Sequence, residues 1–533
     1  MPPTHDHEGK EGRYKEYAYS PVPESASSAV YDSTTLGKYT EFGTGSPSYR
    51  FKNGVLEKCR DSDMTEKGST LLQYVAAAAA NLCCVSAGAM LAWTSPIKAK
   101  LQDSLDDNPL GVKITDDENS WIGSLVAVGA MIGSFIAGYM AERWGRKKTL
   151  LAAVIPFTLG WILVASAKVV FQLYVARIIL GIGLAFAFTV VPMYCGEIAE
   201  ISVRGALGSF LQLFVTFGLL YSYSIGPYVS YLVFWICCAA VPFVFFAVFM
   251  TMPESPYFLL KIGKREEAVQ ALARLRSKSP ASVQKEADEM QAAVEEAFRE
   301  ETNFSDLFTV KANLKALIYT CLLASFQQLS GINVVLFYMG NIFESAKSSL
   351  PSPIATIIVA LVQTCASAVT PVVVDRLGRK VLLIFSGIGE ILTMGSLGLY
   401  MYLQDTAHAD VSGISFLPVL SLVVFISTYS VGWGPLPWTV MGEMFTSNVK
   451  SKASGITVCI CWLMSFMTTK FSTNLASVAT CAPYWLFGIF CLLSVLFTIF
   501  VLPETKGKSV QEIQDELNGV KSSLPVFEGS GKH

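Results

Sequence analysis

From residue 71 to residue 97 the chain carries no Asp, Glu, Lys or Arg, and runs of this kind recur almost to its end. A helix that crosses hydrocarbon needs about 20 such residues, so each run is a candidate membrane span. Residues 119–141, 149–167, 316–343, 348–374 and 411–442 meet that length or nearly so. Two longer runs, 205–253 and 471–503, hold two helices and one helix plus a turn. With 169–196, 381–403 and 453–475, twelve spans are expected. Composition agrees, since only 15% of residues are charged and 52% are hydrophobic, against about 25% charged in soluble proteins.

The net charge of −2 conceals a sorted distribution. The loops after spans 2, 4, 8 and 10 hold Arg143, Arg146, Lys147, Lys148, Arg204, Arg376, Arg379, Lys380, Lys450 and Lys452. Cations gather on the cytosolic side, which places both termini there in a multi-pass protein of the cell membrane. The acid-rich loop 98–118 then faces the other side. Residues 1–68 are polar and without periodicity, and are expected to be a disordered cytosolic tail. A first six-helix half spans 69–252 and a second spans 313–503. Between them, 253–312 has apolar residues three and four apart, which predicts amphipathic cytosolic helices. Residues 504–533 form a cytosolic C-terminal tail. The expected class is therefore an all-α membrane protein.

The two halves are copies. "AERWGRKK" at 141–148 returns as "VDRLGRKV" at 374–381, so Glu142 answers to Asp375, 233 residues later. Gly196-Glu197 answers to Gly442-Glu443 at an offset of 246, and a cation follows in each copy, Arg204 and Lys450. Pro253-Glu254 answers to Pro503-Glu504 at an offset of 250. Repeated membrane halves are a mark of secondary transporters, with the substrate site between them. The charged members of the repeat are Glu142, Arg143, Arg146, Glu197, Arg204, Glu254, Asp375, Arg376, Arg379, Glu443, Lys450 and Glu504. All fall at one face, where they can pair. One exposed pair is worth about 0–1 kcal/mol. A cluster reaching a few kcal/mol is enough to bias a two-state equilibrium.

Spans 1, 5, 7, 8 and 10 have no charged side chain but contain Gln73, Asn81, Gln212, Gln327, Gln328, Asn333 and Gln363. Buried amides are costly unless hydrogen-bonded, and each offers donors and an acceptor, which suits hydroxyl groups. A charged solute would need a buried counter-charge on these helices. A neutral polyhydroxylated solute is favoured. The five-residue step from Gln328 to Asn333 turns about 140° on an ideal helix, so one shared site requires a break, which Gly331 can supply. Gln73, near the cytosolic end, is expected to bond a neighbouring helix. Trp438 and Trp462 offer flat faces to the CH groups of a sugar ring, and Trp433 is read as a packing residue. "VGWGPLPW" at 431–438 suits a bend in span 10.

These features, with "PESPYFL" from Pro253, "QQLSGIN" from Gln327, "GPLPW" from Gly434 and "PETKGKS" from Pro503, resemble the sugar porter family of the major facilitator superfamily over about residues 70 to 510. Within it the chain is most similar to insect facilitated trehalose transporters, with animal glucose facilitators further off. The resemblance implies sugar contacts at Gln212, Gln327, Gln328 and Asn333. It implies that Trp438 closes one side of the site, and that the charged cluster staples the halves when the site faces outward. Glucose facilitators usually carry Asn on span 8 and Glu before the span 10 glycines, where this chain has Gln363 and Ser430. Ser for Glu enlarges the pocket, as a disaccharide requires. The expected function is facilitative trehalose transport by alternating access. A glucose or hexose facilitator, a proton-coupled symporter and a non-transporting sugar sensor stay open.

What drives transport is read from what is missing. "ETKGKS" fails as a phosphate loop because its first required glycine falls on Leu502, so no nucleotide is expected. Proton-coupled sugar porters place a carboxylate in span 1, which has none here, and that leaves Arg177 of span 4 without such a partner. Glu390, about 14 Å into span 9, is either an acid hydrogen-bonded to a neighbour or a proton-coupling group. The four histidines, His5, His7, His408 and His533, lie outside the spans. No enzyme chemistry, cofactor, metal or nucleic-acid partner is expected; the partners are a carbohydrate and the bilayer.

Overall fold

Hydrocarbon cannot solvate a backbone N–H or C=O, so a crossing segment must satisfy them within itself, and a helix does so. The computed structural model describes residues 49–52, 55–58, 68–102, 108–200, 202–299, 305–508 and 510–519. The side chains of Asp375 and Arg376 also fall outside the described residues.

Two units are distinguished, 1–64 and 65–533. In the first, Tyr49–Lys52 pairs antiparallel with Val55–Lys58, with Lys52 opposite Val55. This departs from the disorder expected across 1–68. The sequence between the strands is Asn53-Gly54, the residue pair most favoured in two-residue hairpin connections. The remainder of 1–67 lies outside the described residues.

The second unit holds twelve helices long and apolar enough to cross a membrane. Spans 1 to 6 are Leu71–Lys98, Asp116–Trp144, Arg146–Ala165, Val170–Ile198, Arg204–Tyr228 and Tyr231–Phe249. Spans 7 to 12 are Lys311–Ser345, Ser352–Val373, Arg379–Thr406, Ser412–Met444, Lys452–Val478 and Ala482–Phe500. Asp116, Asp117 and Glu118, read above as part of a loop, form the first turn of span 2. There the helix dipole favours acids, and Thr115 and Glu118 complete a capping box.

Between lipid-immersed helices small residues permit close approach. A Cβ on Gly129 of span 2 would lie 3.0 Å from the Cα of Gly181 on span 4, and the reverse substitution meets Gly129 at 3.0 Å. Gly88 and Gly218 bring spans 1 and 5 together in the same way, again at 3.0 Å. Across the halves, span 2 packs on span 11 and span 5 on span 8. Two spans are interrupted. Span 7 breaks between Lys311–Leu329 and Ile332–Ser345 at Gly331, whose φ of 86° is a left-handed conformation that glycine adopts without a Cβ penalty. Span 10 breaks between Leu417–Val431 and Leu436–Met444.

The charged loops gather at one face, called here the basic face. Helices Pro256–Lys261, Arg265–Arg276 and Gln284–Arg299 follow span 6 there. They are pinned to the first half: Arg276 pairs with Glu200 at 3.1 Å and donates to Ile198 O at 2.8 Å, and Lys261 pairs with Glu142. Within the expected C-terminal tail, Val510–Asn518 is a helix that buries Ile513 and Leu517. It docks on the second half, where Lys315 Nζ donates to Leu517 O at 2.7 Å and Gln514 Nε2 to Met444 O at 2.6 Å. Residues 520–533 lie outside the described residues.

The glycine crossing sets a stability test. Gly129→Leu forces spans 2 and 4 apart and is expected to cost at least about 1–3 kcal/mol, read as a lower melting temperature of the detergent-solubilised protein. Gly138→Ala, on the same helix with nothing within 4 Å of a new Cβ, is expected to leave it unchanged or slightly raised. Equal melting temperatures for both variants would refute the close approach.

Candidate functional site

The break at Gly331 folds the second piece of span 7 so that Asn333 meets Gln328. Asn333 Nδ2 donates to Gln328 Oε1 and to Ser465 Oγ of span 11, both at 2.6 Å. Gln328 Nε2 donates to Cys461 Sγ at 3.1 Å. Gln327 points elsewhere. Its Nε2 donates to Trp433 O and Gly434 O, each at 2.8 Å, which are carbonyls released by the break in span 10. The donors of Gln327, Gln328 and Asn333 are thus largely committed to protein. Their remaining capacity is on oxygen, at Asn333 Oδ1 and at Gln327 Oε1, which takes only a long contact from Cys461 Sγ at 3.9 Å.

Spans 8 and 10 add oxygens without partners. Gln363 is 1% exposed and Ser430 is fully buried, yet Gln363 Oε1, Ser367 Oγ and Ser430 Oγ have no protein hydrogen bond among the described residues. Gln363, Ser367 and Thr370 share one helix face. Thr370 Oγ1 donates to Ser430 O at 3.0 Å, which places this face against span 10. Gln212 is half-buried on span 5 with no protein hydrogen bond among the described residues, and Trp438 is half-buried on span 10. Trp462 is turned toward the first half, edge-on to Phe188 of span 4 with ring centroids 6.1 Å apart. Trp433 is buried, with Nε1 donating to Leu383 O at 3.1 Å. Gln73 exchanges hydrogen bonds with Glu200, joining spans 1 and 4.

Arg177 is fully buried and, among the described residues, makes no ion pair with a carboxylate. Its three nitrogens donate to Ile122 O at 2.8 Å, Met90 O at 2.9 Å and Thr94 Oγ1 at 3.0 Å. Trp93 lies under the guanidinium, 5.6 Å from ring centroid to Cζ. Neutral acceptors on all three nitrogens, with the Trp93 ring beside them, therefore compensate a charge that is costly to bury.

At the basic face the repeated charges make two matching clusters. In the first half Arg146 Nη2 pairs with Glu197 at 2.8 Å and with Glu142 at 3.3 Å. Ser255 Oγ donates to the second Glu197 oxygen. In the second half Arg379 pairs with Glu443 at 2.8 Å, and Thr505 Oγ1 donates to the second Glu443 oxygen at 2.6 Å. Glu254 accepts from the Lys147 N–H at 2.9 Å, while Glu504 accepts from the Arg379 and Lys380 N–H groups at 3.1 and 3.0 Å. Each carboxylate thus sits on a helix N-terminus, an anion site by geometry and dipole. Burial pushes the Glu504 carboxyl up, but the N–H groups of Lys506, Lys380, Arg379 and Thr505 win and hold it below the usual range.

Every one of these pairs stays within its own half, and among the described residues no ion pair joins the halves at the basic face. Arg204 is exposed with no ion pair among the described residues, Arg143 lies over Tyr139, and Lys450 Nζ caps Gly442 O at 2.8 Å. The side chains of Asp375 and Arg376 lie outside the described residues. Ser255 and Thr505 went unnoticed in the sequence, although they follow Glu254 and Glu504 at matched positions.

The halves are tied at the opposite face. Lys470 of span 11, almost fully buried, pairs with Asp117 of span 2, donates to Ser120 Oγ at 2.8 Å and lies 4.6 Å from the Trp121 ring centroid. Ser95 Oγ accepts from the Gly340 N–H at 3.0 Å, and the Tyr223 hydroxyl donates to Leu336 O. Trp121 tilts against Phe466 at 6.0 Å. The two halves thus close around the amide cluster at this face, and at the other no ion pair joins them among the described residues. Lys470 is the residue that sequence reading missed. The signal was a lone cation inside run 453–475.

Known proteins share this construction. The family model for sugar (and other) transporters matches residues 73–517. The chain is 34% identical to the facilitated trehalose transporter Tret1 of Bombyx mori over 85% of this chain and 88% of that one. It is 33% identical to the Polypedilum vanderplanki protein of the same name, over 84% and 88%. A structure of the proton:xylose symporter XylE bound to 6-bromo-6-deoxy-D-glucose superposes with a TM-score of 0.69 at 26% identity, covering 84% of this chain and 99% of that one. With twelve spans, interrupted helices 7 and 10 and a family match over most of its length, the chain belongs to the sugar transporter family of the major facilitator superfamily.

Proposed function

We propose that this protein carries a neutral disaccharide, trehalose, passively across a cell membrane by alternating access, with the basic face and both termini cytosolic. The observation that carries the reading is the chemistry of the central polar groups. Gln327 Oε1, Asn333 Oδ1, Gln363 Oε1 and Ser430 Oγ are oxygens with capacity to spare, and among the described residues no charged side chain bonds any of them directly. Such a set accepts hydrogen bonds from hydroxyl groups and offers nothing to an ion. Gln212, Gln328, Trp438 and Trp462 complete the substrate-binding set, the tryptophans by stacking on ring CH faces. Ser430 leaves the space that a second sugar ring needs. The relatives named facilitated trehalose transporters support the same substrate.

Passive movement follows from Arg177. A proton-coupled carrier needs a titratable partner whose charge changes with the step, whereas this guanidinium is held by two carbonyls and a hydroxyl. The conformation described here is inward-facing, with Lys470 and Asp117 holding the external side shut. In the outward-facing state the basic-face residues Glu142, Arg143, Arg146, Glu197, Arg204, Glu254, Asp375, Arg376, Arg379, Glu443, Lys450 and Glu504 come together across the halves and staple the cytosolic side.

Uptake of labelled trehalose into oocytes expressing the full chain, at two external pH values and with counterflow, tests the function. Saturable, pH-insensitive uptake that shows counterflow is expected; uptake of glucose alone, or acid-stimulated uptake, would overturn it. Ser430→Glu fills the pocket with an ionisable group and is expected to lower trehalose uptake about tenfold or more, an effect of about 1.4 kcal/mol or above, at unchanged surface amount. Lys470→Met or Asp117→Asn weakens external closure. Each is expected to raise the outward-facing population roughly fivefold, for about 1 kcal/mol, measured as labelling of external-side cysteines. The charge swap of both residues is expected to return labelling toward the wild-type level, and labelling that ignores both single variants would rule out the latch.

A further inference from the structure

Glu390 belongs to no charge cluster and is 1% exposed in the middle of span 9. No cation lies within ion-pair distance of it among the described residues. Its neighbours are hydrogen-bond donors. Ser386, one turn earlier, donates Oγ to Glu390 Oε1 at 2.9 Å, and Cys491 of span 12 approaches Glu390 Oε2 at 3.6 Å. The Ser386 oxygen also accepts the Trp433 N–H at 3.2 Å. Trp433 stands in the break of span 10, and its own carbonyl, with that of Gly434, receives Gln327 Nε2. A continuous chain therefore runs from Glu390 through Ser386 and Trp433 to a glutamine of the sugar site.

The surroundings leave this chain little slack. A Cβ on Gly387 would lie 3.2 Å from Trp433 Nε1, and one on Gly432 would lie 2.7 Å from Leu382 O. Spans 9 and 10 touch backbone to backbone at this level. A hydroxyl that accepts from Trp433 must send its own proton to an acceptor. Without Glu390 the nearest alternative is a carbonyl of its own helix one turn back, the ordinary competitor for a helical serine. Turning that way moves the oxygen lone pair off the Trp433 N–H and loosens the bend.

We infer that Glu390 is a positioning residue: acting as the acceptor for Ser386, it fixes the span 10 bend whose two carbonyls orient the Gln327 carboxamide. Its kinetic consequence rests on the sugar-transport reading, but its structural consequence does not. Glu390→Leu removes the acceptor at similar size, and Glu390→Gln keeps one. Hydrogen exchange of the 429–436 peptide in the purified full-length protein needs no substrate. It is expected to speed up about tenfold in E390L and to stay at the wild-type rate in E390Q. In transport, E390L is expected to raise KM about tenfold with Vmax per surface copy nearly kept, as for a lost buried hydrogen bond. E390Q is expected within about twofold of wild type on the same scale, and E390L/S386A no worse than E390L, because the two residues act in series. Unchanged exchange in E390L would overturn the inference. E390Q as impaired as E390L, with any pH dependence of uptake abolished, would do the same and make the carboxyl a proton carrier. A wild-type chain that moves no sugar would refute the transport reading, while exchange still decides the role of Glu390.

Discussion

A helix interrupted inside a bilayer releases carbonyl groups that lipid cannot satisfy, so the break must be closed by a side chain brought from elsewhere. Gln327 does this for span 10. Its one amide nitrogen holds both Trp433 O and Gly434 O, and it therefore ties the bend of one interrupted helix to the span that carries the other. Much of the central architecture depends on that contact. It spends the donors of Gln327 on protein and leaves its oxygen with only a long thiol contact from Cys461 at 3.9 Å, and this biases the site toward accepting hydrogen bonds. The same accounting holds for Gln328, whose amide donates to Cys461, and for Asn333, whose amide donates to Gln328 and Ser465 and leaves Asn333 Oδ1 to accept. A site assembled to hold its own backbone together is thereby suited to hydroxyl groups.

The basic-face clusters follow a different logic. Each half carries an Arg–Glu pair, a hydroxyl on the second glutamate oxygen and a carboxylate on a helix N-terminus, and each set closes on itself. Self-contained clusters make each half a body that moves without breaking its internal bonds. Gly145 and Gly378, with φ of 95° and 92°, turn the chain sharply between spans 2 and 3 and between spans 8 and 9. The turns bring Glu254 and Glu504 onto the following helices. The repeated motif thus has a local purpose in building the halves, whatever it does between them.

The sequence made the spans legible because charge exclusion over about 20 residues is a constraint few other structures impose. The break at Gly331 was legible for an equally plain reason, since Gln328 and Asn333 cannot share a face of an unbroken helix. Partners across the fold were not legible. Gln327 announces a buried amide, but nothing local says that its ligands are carbonyls 106 and 107 residues away. Lys470 sits in a run apolar enough to be counted as a span, and its partner lies 353 residues back. The strand pair 49–52 with 55–58 was missed for another cause, its short strands being overshadowed by the polar composition around them.

The repeat also shows which residues break the symmetry. An offset of 233 sets Phe157 against Glu390 and Leu350 against Asp117, and an offset of 246 sets Ser224 against Lys470 and Val423 against Arg177. None of the four buried or latch-forming charges has a charged counterpart in the other half. The recurring charges hold each half together, and these four single charges lie where the halves differ: at the seam of one face, beside span 1, and behind the bend of span 10. Because the two copies run in the same direction through the membrane, the repeat makes the halves alike but leaves the two faces distinct. The single charges are where divergence after duplication is felt most, because a single buried ion in low dielectric changes the energy of its surroundings far more than a single apolar replacement does.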